Sequence, residues 1–430
     1  MTTTGQPPEY QPRVVDAELD ELTKQLAAVS IAGAKAVGKT RTAQRRAVTT
    51  RRLDDANELA VARADPRRLL EGARPVLIDE WQRLPETWDL VRRAVDEGAR
   101  PGSYLLTGSA VPEQRGTHSG AGRIVGVRMR PLSLLERGLA TPSVSLGRLA
   151  DGGRPKIEGR CECDLNAYVD EILASGFPGL RGLKGRAVRA QLDGYVDRVV
   201  DRDFPELGHA VRNPETLKRW MTAYAAASST TASFEKIRDA ATSDQKEKPS
   251  KTATGPYRDI LERIWFLDPV PAWLPTQSHL RRLAAPPKHQ LVDPALAASL
   301  LGVDADALLD GRDVGPPIPR DGTLLGALFE SLVVLSVRVY AQAIEATVKH
   351  LRTAAGEHEV DMIIERRDGR VVAIEVKLTR TPSDDDVRDL VWLQQRIGDR
   401  LLDAVVISSG QDAYRRSDGI AVIPAALLAN

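Results

Sequence analysis

Cysteine is almost missing from this chain: Cys161 and Cys163 are the only two, and they lie too close together to staple a fold. That excludes a small disulfide-built secreted domain and points to a reducing compartment. Their C-x-C spacing has no second ligand pair nearby, so no zinc site is expected. Charge of one sign is lacking as well. Sixty Lys and Arg against 59 Asp and Glu leave a formal charge of +1, so no global field announces nucleic acid or an anionic membrane. Any DNA contact has to come from a local basic patch. The opening "MTTTGQPPEYQPR" has no apolar signal-peptide core. The longest apolar run, "LLGALFESLVVLSVRVYA" (324–341), carries Glu330 and Arg338. It reads as a buried helix, because a membrane span wants about 20 apolar residues. A cytoplasmic protein without a membrane partner is expected.

The 430 residues present are enough for two or three domains. From about 14 to 145, short β-like runs ("LAAVSIAG", "RAVTTRRL", "RPVLIDE", "SYLLTGS", "RIVGVRMR") alternate with helical stretches ("DPRRLLEGA", "PETWDLVRRAVDEGA"). That alternation is the signature of an α/β sheet. The Gly/Pro-rich "LADGGRPKIEGRCECD" (149–164) marks a first boundary and "VGPPIPRDG" (314–322) a second. The expected domains are therefore 1–148, a mainly helical 164–315 with a polar interruption at 241–256, and a terminal α/β domain at 322–430.

"GAKAVGKT" (33–40) matches the phosphate-binding pattern G-x-x-x-x-G-K-[ST], after a strand and before a helix. Gly33 and Gly38 let the backbone curl so that successive N–H groups face phosphate oxygens. Residues Gly33, Ala34, Lys35, Ala36, Val37, Gly38, Lys39, Thr40 and Arg41 form the expected cradle for ATP. Within it Lys39 faces the β/γ-phosphates, and Thr40 offers a hydroxyl to Mg²⁺. The helix after the loop adds the positive end of its dipole. "PVLIDE" (75–80) supplies the second part: Asp79 for the Mg²⁺ shell, Glu80 to orient or deprotonate water. "YLLTGS" (104–109) ends a further strand, from which Ser109 or Thr107 would reach the γ-phosphate or the water. Arg123 is placed to meet a neighbouring subunit's γ-phosphate as an arginine finger, which implies self-association. A solvated arginine is the plain alternative.

Taken together, "GAKAVGKT", "LDD" (53–55), "DP" (65–66), "VLIDEWQRLP", "LLTGS" and "GR…RPLSLLE" resemble the AAA-type ATPases that carry a DUF4143 C-terminal region. "SGFPGL" (175–180), "YVDRVVDRD" (195–203), "LVDPAL" (291–296), "LLGALFE" and "EVDMIIE…IEVK" resemble that C-terminal part. The resemblance implies an AAA+ P-loop sheet, a winged-helix-like helical middle and a restriction-endonuclease-like α/β domain. In the middle, Ser233 would cap a second helix, with Glu235 just inside it. A third helix would bring Lys251, Thr252, Tyr257 and Arg258 to DNA, or else bury Ile260, Leu261, Ile264 and Trp265 against the domain or a protein partner.

In the terminal domain, Asp361 and Glu375 would be the oxygen ligands of a divalent ion, with Glu330 completing the cluster and Lys377 beside the attacking water. Geometry sets a condition. A two-residue turn at Asp368-Gly369 pairs positions summing to 737 and points the two acids to opposite faces. A three-residue loop, Arg367-Asp368-Gly369 with glycine left-handed, pairs positions summing to 736 and sets Asp361 opposite Glu375. The expected function is Mg²⁺-dependent ATP binding and hydrolysis, with the nucleotide state moving the C-terminal domains. An ATP-gated metal-dependent DNA nuclease and a non-enzymatic nucleotide-sensing scaffold stay open as alternatives.

Overall fold

The computed structural model describes residues 10–109, 120–207, 213–242, 251–274, 285–312, 314–320, 322–353 and 356–430. They fall into two compact units, Met1–Arg130 and Pro131–Asn430. The first holds the five expected strands: β1 (Ala28–Ala32), β2 (Thr49–Arg52), β3 (Val76–Asp79), β4 (Tyr104–Gly108) and β5 (Val125–Arg128). They form one sheet in the order β2-β3-β4-β1-β5, parallel throughout. Strands β3 and β4 are buried along their whole length, as a sheet covered on both faces requires. The core collects Ile78, Leu106, Val91, Trp81 and Leu53. The carboxyl ends of β1, β3 and β4 therefore open side by side, where ligands gather in such sheets.

In the second unit the structure departs from the expected boundary at 148. The short helix Leu134–Arg137 takes its N-terminal hydrogen bonds from the helix Leu324–Ala343: the N–H of Leu134 donates to Ser336 Oγ (3.1 Å) and that of Leu135 to Tyr340 Oη (3.0 Å). β6 (Val144–Ser145) pairs with β14 (Leu428–Ala429). Orphan backbone donors and strand edges have to find partners, and these find theirs at the far end of the chain. Residues 131–148 thus belong to the second unit.

The sheet of this unit runs β7-β12-β13-β11-β10-β9-β8. Its heart is the antiparallel meander β8 (Thr347–Arg352), β9 (Glu359–Glu365) and β10 (Val371–Lys377), followed by β11 (Leu401–Ser408) parallel to β10 across the helix Asp384–Ile397. β13 (Ala421–Pro424) continues beside β11, and β12 (Asp412–Arg415) and β7 (Gly159–Arg160) close that edge. The hairpin between β9 and β10 has the three-residue loop: the observed pairs Val371–Glu365 through Ile374–Met362 all sum to 736, and Gly369 has φ +79°. The helix Leu324–Ala343 is the one among the described residues long and apolar enough to cross a membrane, and 78% of its most apolar window is buried in this unit.

The helical middle contains Pro214–Ala226, Phe234–Ala240 and Lys251–Arg263, with Ser233 Oγ capping the second at Lys236 N (3.3 Å). Ile260, Leu261 and Ile264 are buried as the packing reading expects. Trp265 is half-buried, at φ +62°. Tyr257 meets Phe204 and Trp220 edge-on, and Arg258 lies over Phe234 while pairing with Asp259. Tyr257 is half-buried by this packing, whereas the Arg258 side chain stays 42% exposed. Lys251 and Thr252 side chains, His118 and His209 lie outside the described residues.

One carboxylate ties the segments around "SGFPGL" and "LVDPAL" together. Asp293, fully buried, accepts from Gly176 N (2.6 Å), Ser175 Oγ (3.2 Å) and its own helix at Ala295 N (2.8 Å). Removing a buried acceptor leaves its donors unsatisfied. Asp293→Ala is expected to destabilise the second unit by about 3 kcal/mol, read as a lowered urea midpoint with unchanged slope.

Candidate functional site

At the carboxyl end of β1 the chain turns through 33–38 with positive φ at Gly33 (+157°), Ala36 (+66°) and Gly38 (+99°). At Gly33 a side chain is excluded outright: a Cβ would stand 2.1 Å from the Met129 carbonyl oxygen. Val37 is buried, and the Arg13 guanidinium braces the loop from outside, donating to Val37 O (2.8 Å) and Arg130 O (2.7 Å). Nothing in the sequence pattern singled out Arg13, since an arginine so far upstream of the motif carries no spacing signal.

Lys39 is 5% exposed, and its ammonium donates to Gly33 O (2.9 Å) and Ala34 O (2.7 Å). Burial holds it down to about 8, with Glu80 and Asp79 acting in the opposite sense. Thr40 Oγ1 donates to Asp79 Oδ1 (2.9 Å), and Thr107 Oγ1 donates to the same oxygen. The two motif halves and the β4 terminus are thus joined through one carboxylate. Arg41 points outward and Lys35 is half-exposed, at the rim of the loop.

Glu80 takes the left-handed conformation (φ +55°), which turns it out of β3. Gln82 Nε2 donates to Glu80 Oε2 (2.5 Å) and to Ser109 Oγ (3.3 Å). The sequence reading missed Gln82, although its place two residues past Glu80 on a short turn is the available clue. Gly108 lets this pair close up, since a Cβ there would meet Gln82 Oε1 and the Trp81 indole nitrogen at 2.8 Å. Arg123 does not join this group. It precedes β5, the parallel neighbour of β1, and so lies toward the amino ends of the strands, where it pairs with Asp96 at 2.8 Å and holds that carboxyl below its ordinary range.

A second constellation lies in a cleft of about 880 Å³ in the other unit. Glu330, Asp361, Glu375 and Lys377 all line it, so the 736 register does bring the expected acids together. At their centre, however, is a residue the sequence reading did not choose. The Lys288 ammonium lies 2.8 Å from Asp361 Oδ1, 2.9 Å from Glu359 Oε1 and 3.0 Å from Glu330 Oε1. The clue to Glu359 was its place two before Asp361 on the same strand face; Lys288 lies 73 residues upstream of Asp361 and had none.

Asp361 Oδ2 accepts the Val376 N–H (2.8 Å), and Lys377 pairs with Glu375 at 3.3 Å. Burial raises Glu375 well above the usual carboxyl range, helped by Asp361, and raises Glu330 to about 8. Asp361 goes the other way: burial would raise it, but Lys288 and Lys377 prevail and bring it to about 2. The divalent-ion expectation for Glu330, Asp361 and Glu375 thus meets a different arrangement. An ammonium stands among the carboxylates, and no three His, Cys, Asp or Glu among the described residues are disposed to hold one metal. Cys161 and Cys163 are free and buried, burial pushing the Cys163 thiol up to about 12.

Comparison with known proteins gives the class of each region. Residues 25–137 match the family described as AAA domain, residues 325–428 the domain of unknown function DUF4143, and residues 165–307 the domain of unknown function DUF8612. The resemblance read from the motifs is borne out at both ends of the chain, and an AAA-type P-loop ATPase-like domain occupies the first unit. Two curated relatives, the uncharacterized proteins Rv2008c of Mycobacterium tuberculosis and Mb2031c of Mycobacterium bovis, are each 25% identical over 370 residues, covering 84% of this chain and 71% of theirs. A solved structure, the Walker-type ATPase of Pyrococcus abyssi, is similar with a TM-score of 0.39 at 14% identity, covering 66% of this chain and 94% of its own.

Beside Lys288, His289 is buried, its Nε2 2.7 Å from Ala232 O, and burial lowers it to about 4. A histidine with a depressed folded value binds fewer protons folded than unfolded, so its contribution to stability is full above about 6.5 and is lost as pH falls toward 4. The thermal midpoint of His289→Gln is expected to fall less steeply than that of the wild type over that window in differential scanning fluorimetry; parallel profiles would contradict this.

Proposed function

We propose that the chain is a Mg²⁺-dependent ATPase whose working site is the P-loop of the first unit. The observation that carries the reading is the joint hold of Thr40 and Thr107 on Asp79, beside a buried Lys39 whose ammonium rests on two loop carbonyls. An ammonium in that position gains from an incoming anion, because phosphate oxygens would replace neutral acceptors in a low-dielectric site. Thr40 and Asp79 fit Mg²⁺, since hydroxyl and carboxylate are the hard oxygen donors it takes. When bound, the ion neutralises charge on the β- and γ-phosphates.

The chain's own groups do the rest. Loop N–H groups from Gly33 to Lys39 hold the phosphates, and Lys39 follows the γ-phosphate. Glu80, fixed by Gln82, accepts a hydrogen bond from the attacking water and aims its oxygen at phosphorus. The P–O bond to the β-phosphate breaks, with ADP and inorganic phosphate as products and the water's proton passing to Glu80 or to phosphate. Because the relatives match across both units, we read the nucleotide state as acting on the DUF4143 unit, through which any DNA or protein partner would be reached. A metal-dependent nuclease loses support, since two of the acids gathered for it, Glu330 and Asp361, already hold the Lys288 ammonium.

Steady-state phosphate release and ATP binding, compared in wild type and Glu80→Gln, test this. Turnover is expected to fall by on the order of 10²-fold or more with binding retained. Equal, negligible turnover in both proteins, with binding intact, would sink hydrolysis and leave a nucleotide-sensing scaffold.

A further inference from the structure

The chemistry of the second cleft comes from one geometric fact. An ammonium has three N–H donors, and Lys288 finds three carboxylate oxygens within 2.8–3.0 Å, from the helix Leu324–Ala343 and from two positions of β9. Its donor capacity is filled. The side chain is 1% exposed. Its backbone is fixed by a reciprocal pair with Val270, Lys288 N to Val270 O and Val270 N to Lys288 O, both 2.9 Å. The acids are equally committed. Asp361 uses its second oxygen on Val376 N, and Glu359 uses its second on Arg352 (2.5 Å).

We propose that Lys288 is the resident cation of the Glu330–Glu359–Asp361 cluster, filling the point on which the three carboxylates converge and closing it to divalent metal. A Mg²⁺ ion placed where the Nζ stands would find those oxygens about 0.8 Å too distant for its 2.0–2.1 Å bonds. Ion and ammonium cannot share that point, and their like charges repel at any short separation. Either the lysine leaves or the metal does not enter. Whatever this cleft binds, it binds without a divalent ion at that position. The proposal is independent of the P-loop reading and stands if ATP turnover is absent.

The test uses nucleotide-free, full-length protein and Mn²⁺, followed by the loss of the free-ion signal in electron paramagnetic resonance. Wild type and Glu330→Gln are expected to take up Mn²⁺ equally, since the weak uptake at Thr40 and Asp79 is common to both. Lys288→Met, which keeps the apolar stem and removes the charge, is expected to bind one further Mn²⁺ per chain. Its thermal midpoint should rise with Mn²⁺ by more than that of the wild type. A wild-type Mn²⁺ site that disappears in Glu330→Gln would overturn the proposal. So would a folded Lys288→Met that binds no more Mn²⁺ than the wild type. If Lys288→Met does not fold, the comparison of wild type with Glu330→Gln decides alone.

Discussion

Burying a charge away from water is among the costliest things a fold can do, and the second unit is arranged around one such charge. Burial opposes the charge on Lys288 and the acids that meet it sustain it, just as Lys288, with Lys377, sustains the charge on Asp361. The contact joins a bridge strand, the long central helix and the meander. Loss of either sign would leave the other stranded. Ion pairs of this kind contribute less to net stability than to fixing one arrangement over its competitors. Here the arrangement fixed is the approach of the central helix to the sheet at Glu330.

The first unit treats a buried lysine in the opposite way. Lys39 is nearly as buried as Lys288, yet it rests on two carbonyls, and burial depresses it where the neighbouring carboxylates raise Lys288. One ammonium is left short of negative charge and the other is supplied with it. The same side chain is therefore a receptor in one unit and a structural counter-ion in the other, and the difference lies entirely in which acceptors stand within 3 Å.

This contrast also explains what could be read from the residues alone. The P-loop was legible because its chemistry is compressed into eight consecutive residues, with Asp79 and Ser109 at strand ends that hydrophobic patterning marks. The β9–β10 register was legible because period-two geometry and a left-handed glycine leave few choices. Lys288 was not, because its role comes from a long-range contact that no local spacing encodes. The boundary at 148 failed for the same reason: a Gly/Pro-rich stretch looked like a linker, but Ser336, Tyr340 and β14 claim the residues before it. Arg123 was read as reaching a neighbouring subunit's γ-phosphate; within its own chain it precedes β5, toward the amino ends of the strands, and pairs with Asp96.

The loop Arg367-Asp368-Gly369 joins β9 to β10 away from the carboxylate cluster, with an Asp368–Arg370 pair at its surface. Its composition is nearly free apart from the glycine, but its parity is not. Losing or gaining one residue there would rotate Glu375 to the far side of the sheet while leaving both strands hydrogen-bonded and every side chain chemically intact. The cleft is thus protected by a count rather than by an identity, and an exposed surface turn becomes a place where substitutions are cheap and single-residue length changes are not.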